Sequence, residues 1–119
     1  MSIYQDIILD HYRNPRNYGH LKDAGNHIKV ANPMCGDVIE MDIKEQNGVI
    51  TEVAFSGQGC AISQAAASMV TEYAKGKSKD EIKKLDKNFI VDLLGIELSP
   101  NRLKCALLSI EALVKVSSA

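Results

Sequence analysis

Three cysteines and one aspartate stand in settings that suit the chemistry of a soft metal. The first setting is Asn32-Pro33-Met34-Cys35-Gly36-Asp37. Proline stiffens the approach, and Gly36 permits a sharp turn and a close approach of backbone to a ligand. Cys35 and Asp37 are two residues apart, so in extended structure a thiolate and a carboxylate face one point. The plainer reading is a turn with a solvated aspartate, a common use of Gly-Asp. The second setting is Gly57-Gln58-Gly59-Cys60-Ala61-Ile62-Ser63. Two glycines lead into a helix whose first turn carries Cys60. The unpaired N–H groups and the helix dipole at such a position stabilise a thiolate, as a metal ligand or sulfur nucleophile requires. The glycines also expose backbone N–H groups able to donate to a sulfide or a bound anion. The plainer reading is a strand-to-helix turn with an incidental cysteine. The third setting is Cys105, in a late helix one turn from Arg102, whose charge can stabilise a thiolate or an added persulfide.

Cys35, Asp37, Cys60 and Cys105 together offer one ligand each. Four ligands suit a tetrahedral Zn²⁺, and four is also the number of terminal ligands on a two-iron cluster. The ligands are dispersed singly along the chain, unlike the paired Cys-x-x-Cys of a structural zinc site, so the fold must assemble them. A hard oxygen donor among soft thiolates weakens the hold on a cluster, which favours release over storage. The histidines offer no better site: His11 lies on a helix stripe, and His20 and His27 lie in or beside a loop. There is no Gly-x-Ser-x-Gly, no Walker-type loop and no His-x-x-x-His, and no local signature supports a Cys–His hydrolase.

The elements that must position these residues read as follows. Ser2 and Gln5 have capping-box spacing, and Tyr4, Ile7, Ile8 and His11 form one apolar stripe of a first helix. Asn14-Pro15 ends it, and a polar loop over 16–26 leads to a short strand at His27–Ala31. Residues 37–44 and 49–55 alternate apolar and polar, and Asn47-Gly48 between them signals a tight antiparallel hairpin. Gly57-Gln58-Gly59 is expected to break the second hairpin strand. Ile62, Ala65, Ala66, Met69, Val70 and Tyr73 mark the buried face of the next helix, closed by Gly76. Ser78 and Glu81 form a second capping box for a short helix to about Leu85, whose interleaved charges read as a solvated face. Phe89 to Leu94 is a further helical turn closed by Gly95, and Ser99-Pro100 starts a last helix that runs to about Val116. Leu103, Ala106, Leu107, Ile110, Leu113 and Val114 form its main stripe, leaving Cys105 on another face with Ser109 and Ala112, outside the expected core. Strands segregated from helices indicate an α+β fold: an antiparallel sheet of about three strands with helices packed on one side.

Composition narrows the function classes. A chain of 119 residues suits one domain over residues 1–119 with a modest core. Hydrophobic residues at 45% and charged residues at 24% argue against disorder. The net charge of −1 provides no basic excess for nucleic-acid binding. No apolar run approaches the ~20 residues that cross a bilayer, and no basic segment at the start resembles a signal peptide, so the expected compartment is the cytoplasm. There a reducing environment keeps the three cysteines as thiols.

The three motifs, in this order, resemble those of the U-type iron–sulfur scaffolds: IscU, SufU and the N-terminal domain of NifU. Asn32-Pro-Met-Cys-Gly-Asp37 resembles the first motif, Gly57-Gln-Gly-Cys-Ala-Ile-Ser63 the second in its SufU form, and Arg102-Leu-Lys-Cys-Ala106 the third. Tyr4 to Tyr18, with Asp10-His11-Tyr12 and Asn14-Pro15, also fits. The resemblance implies an α+β fold with a three-stranded antiparallel sheet. It implies Cys35, Asp37, Cys60 and Cys105 as the metal or cluster ligands, with one of the cysteines accepting sulfur. It implies a cysteine desulfurase as partner, apo-proteins or carriers as cluster acceptors, and a homo-oligomer as one possible assembly. The expected role is that of a carrier, not an enzyme: assembly of a [2Fe-2S] cluster from iron and persulfide sulfur, followed by its transfer. The alternative is a SufU-like sulfur acceptor holding Zn²⁺ in the same site. A purely structural zinc domain ranks below both, because three amphipathic helices and a hairpin already supply a core.

Two departures bear on that choice. IscU proteins usually carry His before the third cysteine, whereas this chain has Lys104, and a protonated amine has no lone pair for a metal. SufU proteins usually carry an insertion between the second and third cysteines, whereas the stretch from Gly76 to Ser99 is short here. Leu98-Ser-Pro-Asn-Arg102 also departs from the Leu-Pro-Pro-Val-Lys segment that dedicated chaperones recognise in IscU.

Overall fold

The structure is a computed structural model and describes residues 3–23, 25–33 and 36–118. The elements in chain order are α1 (Ile3–Arg13), β1 (Asn26–Asn32), β2 (Asp37–Gln46), β3 (Val49–Gln58), α2 (Ala61–Ala74), α3 (Lys79–Lys83), α4 (Lys87–Leu94) and α5 (Pro100–Ser118). Ser2 lies outside the described residues, so the expected first capping box does too.

The three strands form an antiparallel meander in the order β1-β2-β3, the expected α+β architecture. Asn47 and Gly48 both take positive φ, as the tight turn between β2 and β3 requires. Ile28, Met41 and Phe55 align across the sheet on one face, with Val30 and Ile39 one pleat away. Met41, Ile39 and Phe55 are fully buried there, against the packed helices α2 and α5. The opposite face carries His27, Asp42, Glu40 and Ser56.

Three expectations are corrected. β3 does not break at Gly57: it continues to Gln58, because Gly57 lies opposite Ile39 and a Cβ there would sit 2.1 Å from the Val38 carbonyl oxygen. Glycine serves close strand approach at that position. The α1 stripe is only half buried, with Ile8 and His11 inside and Tyr4 and Ile7 exposed. The buried face of α5 is also rotated. Cys105, Ser109 and Ala112 are buried, while Leu103, Leu107 and Val114 are only partly so. This helix packs against α2, α3, α4, β1 and β2, so its buried face is wider than the single expected stripe.

The helix ends follow the expected chemistry closely. Ser78 and Glu81 complete a capping box, Gly76 and Gly95 take positive φ, and Ser99 accepts the Arg102 N–H. Asp86, not singled out in the sequence, caps α4 by accepting the Phe89 N–H.

The segment after α1 is tied down by buried polar groups. Ser68 Oγ on α2 accepts the Arg16 N–H at 2.8 Å and meets His11 Nδ1 at 2.7 Å. Asn17 and Gly19 then bond to Phe55 along the free edge of β3, and the Tyr18 ring packs edge-on against Phe55. The other ring nitrogen, His11 Nε2, lies 3.4 Å from Glu72 Oε1. Burial pushes the His11 pKa below its ordinary value, and the Arg16 charge adds to this, against the opposing pull of Glu72 and Asp10.

Two outcomes are expected. Phe55→Ala should lower the unfolding free energy by about 3–5 kcal/mol, read from urea denaturation, because it empties the centre of the core. A histidine whose folded pKa is depressed binds its proton more readily in the unfolded chain. Its stabilising contribution is therefore present above about pH 6.5 and is lost as pH falls through the folded value. The denaturation midpoint should fall on acidification through that range, and His11→Gln should flatten the dependence.

Candidate metal centre

Asp37 opens β2 and is fully buried, so it is not the solvated turn aspartate of the plainer reading. Its Oδ1 accepts the Cys60 N–H at 2.9 Å, and its Oδ2 lies 3.9 Å from Cys60 Sγ. This contact joins the beginning of β2 to the beginning of α2. It forms because β3 returns beside β2 and delivers Gly59 directly over the aspartate. Gly59 has φ +149°, and a Cβ there would lie 2.1 Å from Asp37 Oδ1 and 3.0 Å from its Cα. The glycine is thus the space in which the carboxylate sits, a role the sequence reading had not given it.

Cys60 is the N-cap of α2, so the helix starts beside it as expected. Its Sγ accepts the Ser63 N–H at 3.4 Å, so the sulfur takes the place that Ser or Asp takes at most helix starts. The sulfur thus lies between a helix-start N–H and the Asp37 carboxylate. Ser63 closes the cap in return by donating its hydroxyl to the Cys60 carbonyl.

Cys105 reaches the same place from α5 and is buried, with 4% of its surface exposed. The expectation that it lay outside the core is corrected: it is a core residue of its helix and also a wall of the site. One ligand atom from each of Asp37, Cys60 and Cys105 lies within 4.8 Å of the others. Among the described residues, these three are the ones whose donors converge this way. Cys35, the fourth expected ligand, lies outside the described residues.

A groove of about 480 Å³ opens beside the two thiols. Ile8 and Leu9 of α1, Ile62 of α2 and Ile96 after α4 make its walls apolar, and the exposed Asn101 and Arg102 stand on its α5 side. Arg102 shares the lining of this groove with both thiols. Lys104 is exposed and lines a separate depression with Pro33 and Leu107, in line with its reading as a solvated helix residue.

The donor set fits a thiophilic metal. Two sulfurs and a buried carboxylate converge, one carboxylate oxygen is held by a backbone N–H, and the other points toward sulfur. Cys60 and Cys105 with Asp37 are the described residues that would hold such an ion.

Residues 3–118 match the NifU-like N terminal domain, and the chain belongs to that family. Among its relatives, the zinc-dependent sulfurtransferase SufU of Bacillus subtilis (strain 168) is 37% identical over 131 aligned residues, covering 96% of this chain and 88% of the relative. The iron–sulfur cluster assembly scaffold protein IscU of Escherichia coli (strain K12) is 36% identical, covering 92% of this chain and 88% of the relative. A crystal structure from the thermophile Fervidobacterium islandicum AW-1, described as an iron–sulfur cluster assembly scaffold protein for the SUF system, superposes with TM-score 0.81 at 26% identity. That match covers 98% of this chain and 96% of the other.

Gly59→Ala should displace the Asp37 carboxylate without touching a ligand. Zinc affinity, measured by competition with a chromogenic chelator, is expected to drop about 10–100-fold, the range for losing a ligand's positioning partner. Unchanged affinity would remove Asp37 from the ligand set.

Proposed function

We propose that this protein is a scaffold on which a [2Fe-2S] cluster is assembled and then passed on, with Cys35, Asp37, Cys60 and Cys105 as its ligands. The convergence of Asp37, Cys60 and Cys105 at the start of α2 carries the reading. The family and the IscU relatives support it. In this reading a cysteine desulfurase delivers persulfide sulfur, one of the three thiols accepts it, and apo-proteins or carriers receive the finished cluster. Cluster and sulfur are cargo, so the protein is a carrier rather than an enzyme in the ordinary sense. The absence of a membrane-length apolar helix among the described residues is compatible with work in the cytoplasm.

The exposed Cys60 and the buried Cys105 divide the labour. Cys60 borders the open groove, where an incoming persulfide sulfur can reach it, and Cys105 holds metal from the enclosed side. As an oxygen donor, Asp37 holds the iron of a cluster less tightly than the thiolates do, and so is the first to yield when a cluster leaves.

One set of observations favours a second reading, a zinc-dependent sulfur acceptor. SufU of Bacillus subtilis is as similar as the IscU relatives, and Lys104 offers no imidazole before Cys105. Against it, the alignment to that SufU spans 131 residues, more than the 119 of this chain, so the relative has residues that this chain lacks.

Metal and sulfide analysis separates the two. Zinc, iron and acid-labile sulfide would be quantified anaerobically, with the visible spectrum, before and after incubation with cysteine, desulfurase and ferrous iron. The scaffold predicts roughly equal iron and sulfide with charge-transfer absorption, lost on Cys35→Ser, Cys60→Ser or Cys105→Ser. About one tightly held zinc per chain, no cluster and a faster desulfurase turnover would establish the sulfur acceptor instead. Asp37→Ala should slow cluster transfer to an acceptor, and unchanged transfer kinetics would exclude the carboxylate from the release step.

A further inference from the structure

The two described thiols of the centre stand in a relation that ligation alone does not use. Sγ of Cys60 and Sγ of Cys105 lie within 4.8 Å of each other. Cys60 caps α2 and Cys105 sits in α5, and these helices pack together, so the backbones that carry the thiols are held as neighbours. Their surroundings differ. Cys60 is exposed at the groove, whereas Cys105 has 4% of its surface exposed. Sulfur that arrives from outside meets Cys60 first and then has a buried thiol behind it.

That order matters for electrons. The outer sulfur of a persulfide is at the oxidation level of elemental sulfur, and a cluster is built from sulfide, two electrons lower. Two thiols that become one disulfide release two electrons. Cys60 and Cys105 together therefore carry the reducing equivalents needed to turn one persulfide into sulfide.

We propose that, while the centre holds no metal, Cys105 discharges a persulfide on Cys60 as sulfide and leaves a Cys60–Cys105 disulfide. The proposal rests on the sulfur-accepting role given above to Cys60. In the step, the Cys105 sulfur attacks the inner sulfur of Cys60–S–S⁻. A bond forms between Cys105 Sγ and Cys60 Sγ, and the bond from Cys60 Sγ to the outer sulfur breaks. The outer sulfur leaves with the electron pair and takes the Cys105 proton, as HS⁻. It leaves into the groove, whose lining Arg102 shares with both thiols and where its charge favours an anion. The two sulfurs must approach by less than about 3 Å to reach disulfide length. The exposed Cys60 side chain is the one with room to move, and it gives up only the 3.4 Å contact with the Ser63 N–H. The Asp37 anchor runs through the Cys60 backbone N–H and survives that rotation.

Metal in the centre prevents the step, because both thiolates then spend their lone pairs on the ion. The persulfide of an empty centre is thus vented, and the disulfide bars further loading until a low-molecular-weight thiol or a dithiol reductant reopens it. The pair makes sulfur retention conditional on metal.

The test uses the full chain, stripped of metal and kept anaerobic. It is pulsed with inorganic polysulfide, freed of excess reagent, and followed by alkylation and non-reducing peptide mass spectrometry, with released sulfide assayed in parallel. The expected course is a transient persulfide on Cys60, then sulfide in solution and a Cys60–Cys105 disulfide. Zinc-loaded protein should form none of that disulfide. Cys105→Ser should keep the persulfide on Cys60 and lower sulfide release about tenfold or more, with Cys105→Ala behaving alike and circular dichroism reporting the fold of both. A persulfide that persists in the unaltered metal-free chain, a disulfide made with Cys35 instead, or release at the same rate in both Cys105 variants would overturn the proposal. Equal discharge with and without zinc would overturn its dependence on metal. Sulfur found only on Cys35 or Cys105 would overturn it together with Cys60 as acceptor, and leave cluster assembly standing. Failure of the chain to assemble a cluster, with the discharge intact, would remove the scaffold reading and leave the thiol pair's chemistry in place.

Discussion

The hydrogen bond from the Cys60 N–H to a buried Asp37 is the contact on which the site depends. A carboxylate removed from water costs several kcal/mol unless hydrogen bonds or opposite charge replace its hydration. One replacement is supplied by the start of α2, where N–H groups have no partner within the helix. The same contact fixes the distance between the β2 start and the α2 start, and so the spacing of carboxylate and sulfur. Everything that brings those two chain positions together serves it: the tight turn at Asn47-Gly48, the register of β2 with β3, and the two glycines that let β3 pass close to β2 and then over the aspartate.

The third donor arrives by a different route. Cys105 belongs to α5, whose apolar residues meet both the sheet and α2, so its position is set by the core and not by any local motif. Two of the donors are thus fixed by one hydrogen bond and the third by the packing of the core. Loosening the helix layer would withdraw Cys105 while leaving Asp37 and Cys60 joined. The geometry of the candidate donors and the stability of the core are thus coupled through that one side chain.

Much of this was legible in the residues because the informative signals were local. The hairpin turn, the Ser78 capping box, the Gly95 cap and the Ser99-Pro100 start depend on contacts within a few residues, and all appear where the chain pattern puts them. The candidate donors Asp37, Cys60 and Cys105 stand out in the sequence because thiols and a carboxylate beside glycines are unusual in type. What escaped was long-range. The buried face of α5 is wider than its strongest apolar stripe because several elements pack against it, so Cys105 and Ser109 are buried despite lying off that stripe. The space that Gly59 makes for Asp37 links residues far apart in sequence, and the cluster at Asp42 draws His20 and His27 from a loop and a neighbouring strand. Composition carries no trace of such meetings.

The two polar clusters divide along the sheet by a rule of parity. Residues of β2 at odd positions from Asp37 through Ile43 face the helices, and those at even positions face the crossing loop. The strand therefore offers a carboxylate to each side: Asp37 to sulfur donors from helices, and Asp42 to imidazoles from a loop and β1. Thiols gather where the helices supply an apolar groove, and imidazoles gather where solvent reaches the rings. The chemistry of each face follows from what packs against it. Thiols tolerate burial among aliphatic side chains, whereas imidazoles need a polar partner for each nitrogen, which the outer face provides through Glu40 and Ser56.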